Sequence, residues 1–415
     1  MTTLGVLGAS PASADPAAPD VPGWKELSDA VRALPAKLLA TLPEDRRQDP
    51  QVQQEVAQLA MESLAVALID ALGGDGDHPM FVPNQNLVLN FPMPNADTVY
   101  RTARLTPGGT YRLRGNRGSL NLASLVQIGG RPSTAGSGSG QAATARPTLD
   151  LNSLKADKSG QFDLLISPAQ PVGYTGDWWQ LGEGANSLLL RLVSADWHRE
   201  NDPTISIERV DQPTRLDRPS AQTLEAKLRA LPRSMEMLPT MFAGHFEKLR
   251  SKGVVNHLEA FDISQAGGLA GQSYYEGVFE LNANEALLME VKAPKHCAYW
   301  SMILGDDLHR TLDWANNHSS LNNVQGKVDS DGILRFVVAD QDPGVSNWLD
   351  TGGHRQGVIQ GRWLGCTETP VPTVSKVAFG DLRAHLPKDL PTVTPAERDA
   401  IIRDRRMSVQ HRRLW

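Results

Sequence analysis

Ser330-Asp331-Gly332, Leu334-Arg335-Phe336-Val337-Val338, Asp340-Gln341-Asp342-Pro343-Gly344 and Asn347-Trp348-Leu349-Asp350-Thr351-Gly352-Gly353-His354, closed by a strand ending in Arg362-Trp363, form one run over residues 330–363. A fainter copy stands in the first half. Ser159-Gly160 and Phe162-Asp163-Leu164-Leu165-Ile166 lead through a Pro/Gly loop to Asp177-Trp178-Trp179, Leu181-Gly182 and a strand carrying Arg191. The order strand, Pro/Gly turn, Trp, Gly turn, strand with an inward Arg occurs twice. Upstream of each copy lies a second echo: Thr98–Ile128, with Tyr100, a Gly108-Gly109 turn and Tyr111, resembles Tyr274–Leu304, with Tyr275, an Asn282-Ala283-Asn284 turn and Leu287. Order repeated over two long stretches predicts a duplicated β unit, with Trp179 and Trp348 equivalent and any site within or between two related sandwiches.

The expected fold is therefore mainly β with helical additions: two tandem jelly-roll-like antiparallel β sandwiches linked by helices. Residues 1–22 read as a disordered tail and 23–80 as an N-terminal helical segment. The first sandwich is expected over 81–212, a helical connector over 213–265, the second sandwich over 266–370, and a tail with a basic helix over 371–415. Asp49-Pro50 supplies an N-cap followed by proline at the first helical position, and Gly73-Gly74 ends that helix. Ser220 opens a connector helix that Pro232 and Pro239 separate from a second one. Thr394-Pro395-Ala396-Glu397 is a capping box before the basic helix, whose arginines read as a solvated or subunit-facing surface. A Ser/Gly/Ala/Thr-rich stretch at 131–147 reads as a mobile surface loop.

With 415 residues the chain can bury one large or two medium cores. Its 41 Lys+Arg against 47 Asp+Glu leave a net charge of −6, which argues against general nucleic-acid or anionic-membrane binding. No apolar run in the sequence approaches the roughly 20 residues of a membrane span, so no membrane partner is expected. The two cysteines, Cys297 and Cys366, form no framework or CxxC pair and read as small buried hydrophobes. The start of the chain has small residues like a secretory cleavage site but no cationic start; a cytoplasmic location is expected, or a periplasmic one if the true start lies upstream.

Several residues could carry chemistry. Two tight turns flanking Trp348 gather Asn347, Asp350 and His354 at a sheet end, where the aspartates cap turns or Asp350 and His354 form an acid/base pair. Asp97 and Arg101 fall on one face of a strand and Tyr100 on the other; the pair either fixes register or binds a polar group. Arg191 and Arg362 lie in otherwise apolar strands and need partners, for which Asp177 and Asp350 or Asp342 are the nearest candidates. Trp179, Trp348 and Tyr275 sit where they could line a pocket. The ten histidines show no HxH, HExxH or HxxxH pair, and GxSxG, P-loop and strand-borne GxGxxG motifs are missing. No metal and no cofactor are expected.

Pro94-Asn95-Ala96-Asp97-Thr98-Val99-Tyr100, Trp178-Trp179-Gln180-Leu181, Ser320-Leu321-Asn322-Asn323 and the Asn347–Gly353 string resemble the domain-of-unknown-function family 1214, bacterial proteins with a sister family 1254. The resemblance spans about 80–380 and implies two jelly-roll-like sandwiches, similar in outline to the double jelly rolls of large-virus capsid proteins. It implies no reaction. The functional expectation is a cofactor- and metal-independent enzyme, a lyase or hydrolase, acting on a small aromatic or hydrophobic metabolite with a polar group. Asp350 and His354 would move protons, and Arg362 or Arg101 would bind an anionic group. The alternative is a non-catalytic ligand-binding or self-assembling protein. Either way the expected partners are a small molecule and further copies of the chain in a homo-oligomer.

Overall fold

A computed structural model of the chain describes residues 20–129, 145–261 and 271–413. The expected tail at 1–22 and loop at 131–147 lie outside these residues except for 20–22 and 145–147. Three helices come first: α1 (Trp24–Leu39), α2 (Glu44–Arg47) and α3 (Pro50–Gly73). The Asp49 side chain accepts the Gln51 N–H, so α3 begins where its cap and proline dictate. Val52, Val56, Leu59 and Ser63 are buried on one stripe. By length and composition alone α3 could cross a bilayer, an amendment to the sequence reading. Here it packs instead against α1 and against α4 (Ala221–Phe242), building a helical layer with Leu34, Leu38, Leu231 and Met235 at its centre. Both Pro232 and Pro239 lie inside α4, so the expected break falls later, before α5 (His245–Ser251).

The strands of the first half are β1 (Val82–Gln85), β2 (Thr98–Arg104), β3 (Tyr111–Asn116), β4 (Leu122–Gly129), β5 (Ala145–Asp150), β6 (Gln161–Ser167), β7 (Asp177–Gln180), β8 (Ala185–Val193) and β9 (Thr204–Arg209). Those of the second are β10 (Glu259–Phe261), β11 (Gln272–Glu280), β12 (Glu285–Lys292), β13 (Cys297–Gly305), β14 (Ser320–Asn322), β15 (Ile333–Ala339), β16 (Trp348–Asp350), β17 (Gln356–Cys366) and β18 (Thr373–Ala378). Sheet orders β1-β2-β8-β4-β5 and β7-β6-β3-β9 in one half match β10-β11-β17-β13-β14 and β16-β15-β12-β18 in the other, strand for strand. The chain is thus two sandwiches of one topology, each filled by its own apolar core. The second runs from Glu259 to Ala378, wider than the expected 266–370. Each sandwich is antiparallel apart from one parallel pair, β6 with β7 and β15 with β16.

Register fixes which residues correspond. Tyr100 faces Arg191, which faces Ser124; Tyr274 faces Arg362, which faces Ser301. Trp178 pairs with Leu165 as Trp348 pairs with Val337, and each indole N–H donates to the residue ending the neighbouring strand, Ser167 Oγ or Ala339 O. Trp178, rather than the expected Trp179, is therefore the counterpart of Trp348. A one-residue slip exchanges faces, and two adjacent tryptophans hide it.

The halves are tied by loops and by α6 (Pro395–His411), whose predicted capping box forms. Arg403 and Arg406 of this helix are exposed, as the sequence reading has it, but its other arginines turn inward, a correction to that reading. Buried Arg398 meets Asp342 at 2.9 Å, buried Arg405 donates to Trp314 O and Ser320 Oγ, and Arg412, just beyond the helix, donates to the carbonyls of Asp97 and Leu192. Cys297 and Cys366 face each other across β13 and β17 and are disulfide-bonded. Both were expected as reduced, buried thiols; a cross-strand partner 69 residues away leaves no spacing signal in a sequence.

Candidate functional site

Alternation along the five-stranded sheets sends Val99, Leu190 and Leu192 into the first core and Ile359 and Trp363 into the second. The opposite faces carry Tyr100, Leu189 and Arg191 from one sandwich and Tyr274, Gln360 and Arg362 from the other. These two matching triads line one cavity of about 330 Å³. Phe91, Pro92 and Met93 of the β1–β2 loop, following a cis Phe91–Pro92 bond, add apolar wall. Met235, Leu238 and Phe242 of α4 and Val66 of α3 close the side towards the helical layer. Ligand cavities run roughly 300–1,000 Å³ with mostly apolar walls and a few placed polar groups, and this one has that make-up.

Arg362 is 5% exposed. Its Nη2 donates to Gln360 Oε1 at 2.6 Å, its guanidinium lies 5.5 Å from the centre of the Tyr274 ring, and its buried Nε makes no hydrogen bond. The carboxylate expected as its partner is engaged elsewhere: Asp342 holds Arg398, and Asp350 accepts the Gly352 N–H. Asp177 is not placed for Arg191 either, for it accepts the Lys155 N–H on the sheet away from the cavity. Burial, and then the nearby Arg362 charge, lower the Arg191 pKa, so the two guanidiniums feel each other across the seam. Burial also pushes the Tyr274 hydroxyl up, keeping it a neutral donor.

His309 completes the wall. It sits in the loop after β13 with φ of 65°, a conformation costly for a non-glycine residue. Its ring stacks on Phe242 at 5.2 Å and meets His245 edge-on at 4.9 Å, while Nδ1 is buried without a hydrogen-bond partner. Burial, helped by His245, lowers its pKa to about 3, so the imidazole is neutral. Glu62, also in the wall, accepts from Gln58 and pairs with Arg310 at 3.6 Å; burial pushes its carboxyl up.

Asp97 lies on the same seam. Its Oδ1 accepts from Trp197 Nε1 and Asn322 Nδ2, both at 2.8 Å, and Oδ2 accepts the Tyr299 hydroxyl at 2.6 Å. That hydroxyl accepts in turn from Asn95 Nδ2 at 2.7 Å. Burial pushes the Asp97 carboxyl up against three donors that favour its charge. The residue joins the sandwiches, and the expected Asp97–Arg101 ion pair is replaced: Arg101 donates to the Arg413 carbonyl.

Of the residues singled out in the sequence, Tyr100 and Arg362 therefore meet in the cavity, with Arg191. Asn347 is structural, bridging the Lys327 N–H and the carbonyls of Lys327 and Arg335. Trp348 is buried under Arg398, Trp179 packs on the first core, and Tyr275 is inside the second core beside Trp363. Asp350 caps its own turn, and burial pushes its carboxyl up. His354 lines a shallow groove with Arg46, Asp307 and Gln356, and no hydrogen bond joins it to Asp350 among the described residues. The sequence reading missed Tyr274, Gln360 and His309. The signal for the first two was the position of Arg362, since its cross-strand neighbour and the residue two before it must share its face; His309 left none.

Residues 279–362 match the model of a family described as protein of unknown function (DUF1214), so the resemblance holds within the second sandwich. No curated protein matches the sequence. Among solved structures, an uncharacterized protein from Burkholderia cenocepacia is similar, with 26% identity and a TM-score of 0.78 over 86% of this chain and 97% of that one. The VPA0106 protein from Vibrio parahaemolyticus aligns at 11% identity and a TM-score of 0.42, over 77% of this chain and 99% of that one.

Proposed function

We propose that this protein binds a small organic anion with an apolar body in the cavity between its two sandwiches. The observation that carries the reading is Arg362: a buried strand guanidinium on a cavity wall, held by a neutral amide and a tyrosine ring, with Nε unsatisfied. A buried cation without an ionic partner is costly, and an incoming carboxylate supplies the missing charge and acceptors. Phe91, Met93, Leu189 and Phe242 suit the ligand's apolar part. The metabolite expected from the sequence is kept, and its seat moves from the Asp350–His354 turn to the strands bearing Arg191 and Arg362.

A thermal-shift comparison of benzoate with benzamide tests this. Benzoate raises the melting temperature of the wild-type chain, benzamide does not, and Arg362→Met loses the benzoate response. Equal shifts from acid and amide would end the anion reading. A second reading adds turnover by a lyase or hydrolase, favoured by the strained His309 on the same wall, whose buried Nδ1 makes no hydrogen bond. Conversion of a bound ligand by wild type and its loss in His309→Phe is the corresponding test.

A further inference from the structure

Arg362 stands on the strand side of the cavity, and His309 belongs to the side that α4 closes, where its ring stacks on Phe242. Two costs are concentrated in this histidine. Its φ of 65° is unfavourable for a residue with a Cβ, and its buried Nδ1 makes no hydrogen bond. The surrounding structure holds it there regardless: its N–H donates to Asp306 O at 3.2 Å, and its carbonyl accepts the Met93 N–H at 2.9 Å. His245, edge-on to the ring, is itself anchored 3.1 Å from both carboxylate oxygens of Glu276. A strained polar residue fixed through both backbone and ring is a placed recognition group rather than core filling. Glu62, Ser63 and Gln85 of the same lining are engaged already, with Gln58 and Arg310, with Leu59 O and with Pro92 O.

The imidazole carries a single proton, because burial lowers its pKa to about 3. A buried N–H without an acceptor is a costlier orphan than a bare lone pair, so the proton belongs on Nε2. Enclosure of Nδ1 also leaves Nε2 as the nitrogen that meets the cavity. Resting on the anion reading above, we propose that the ligand is a carboxylic acid with a second, uncharged oxygen on its apolar body, a ketone, ester or hydroxyl group that accepts a hydrogen bond from His309. A neutral N–H suits an uncharged oxygen and answers a second anion poorly, because the ring has no charge to offer. Specificity follows from the same contact: a site that donates a buried hydrogen bond rejects a ligand lacking the acceptor more sharply than an apolar wall rejects a change of shape.

Calorimetric titration of the full chain with benzoate and with shape-matched pairs, 3- and 4-acetylbenzoate against 3- and 4-isopropylbenzoate, decides the matter. Within each pair only the carbonyl oxygen is exchanged for a methyl group, and the meta and para pairs sample different distances from the carboxylate. In the wild-type chain at least one acetyl compound binds about fivefold or more tighter than its isopropyl partner. His309→Phe keeps an aromatic ring against Phe242 and brings that pair to within about twofold. His309→Asn, whose amide donates and whose backbone tolerates positive φ, retains part of the preference and guards against a phenylalanine variant that fails to fold. Equal binding within both pairs, with benzoate binding still lost in Arg362→Met, would overturn the second oxygen and leave the anion site standing. A preference that survives in His309→Phe would also overturn it, since the acceptor would then be read elsewhere. Failure of every probe to bind would remove both this inference and the reading beneath it.

Discussion

The two sandwiches present the same Tyr–Arg pair at the same register, yet they surround it differently. In the first half the residue two before the arginine is Leu189; in the second it is Gln360, which orients Arg362. Register also matches Asp97, just before β2, with Gly271 just before β11, so at this position the first half has a carboxylate and the second has none. The link from β13 to β14 carries Asp306, His309, Arg310 and His318, all buried. Strands, whose faces are dictated by alternation, keep the Tyr–Arg pair, and apart from Leu189 against Gln360 the differences lie in loops and strand ends, which are free of that constraint. The proposed anion site is accordingly two-fold in outline and one-sided in detail.

The largest effect is expected where the asymmetry joins the halves. Asp97→Ala strands the Trp197, Tyr299 and Asn322 donors in a buried seam and should destabilise by about 3 kcal/mol or more. Urea unfolding followed by tryptophan fluorescence measures it. A loss below about 1 kcal/mol would mean the seam is held by α6 and the loops, with Asp97 incidental.

The arginines come next, and there the halves should behave alike. Arg191→Met and Arg362→Met are each expected to weaken binding of an aromatic carboxylate by about 100-fold, close to 2.7 kcal/mol. Arg362→Met should cost little stability. Arg362 is held by a neutral amide with Nε unsatisfied, and removing such a buried cation is near neutral, in contrast to breaking a buried ion pair. The sequence alone predicts the opposite sign for Arg362, because it supplies a carboxylate partner from the 342–350 turn. Stability and affinity measured on the same two variants decide which account holds.

Acid sensitivity should be a property of the second half. His309 is neutral when folded, with a pKa of about 3, against 6.5 as its ordinary value. Its contribution is fully present above pH 6.5 and is lost as pH falls from there towards 3, since only the unfolded chain takes up the proton. At pH 5 that amounts to about 2 kcal/mol for this one residue. His318 acts with the same sign, held well down by burial and then by the charges of Arg405 and Arg398. The groups facing His309 are Phe242 and His245, the latter 3.1 Å from the Glu276 carboxylate. Stability of wild type and of His309→Phe, compared between pH 7 and 5, should differ in slope by close to one proton. Parallel profiles would show that this histidine titrates normally.

The duplication, the helix caps at Asp49, Ser220 and Thr394, and the anomaly of arginine in apolar strands are local patterns, and local patterns are legible in a single sequence. Register and long-range pairing are not. Tyr275 stands in for Tyr274 in the sequence reading, and Trp179 for Trp178, because adjacent aromatics satisfy either face until a partner strand is known. The expected Asp350–His354 pair rests on closeness in sequence, whereas the turn aims the aspartate at Gly352 N–H and leaves the histidine in another groove. The joining of Arg191 to Arg362 requires knowing that two sheets face one cavity, which no spacing records.

The smallest effect is the most direct test of the comparison. Gln360→Leu gives the second triad the composition of the first, Tyr–Leu–Arg. Arg362 keeps its charge but loses the acceptor 2.6 Å from Nη2, so its orientation is no longer held. One hydrogen bond to a charged donor next to a cavity predicts a loss of about 1 kcal/mol in anion binding, roughly fivefold. Leu189→Gln is the mirror change, placing an amide beside Arg191 and tightening binding by about threefold. If the triads are interchangeable, the double variant Leu189→Gln, Gln360→Leu returns to within about twofold of wild type, because the cavity again has one amide-flanked and one apolar-flanked arginine. A double variant no better than Gln360→Leu alone would instead assign the grip to Arg362 and reduce Arg191 to a background charge. The matching strands would then hold two different sites.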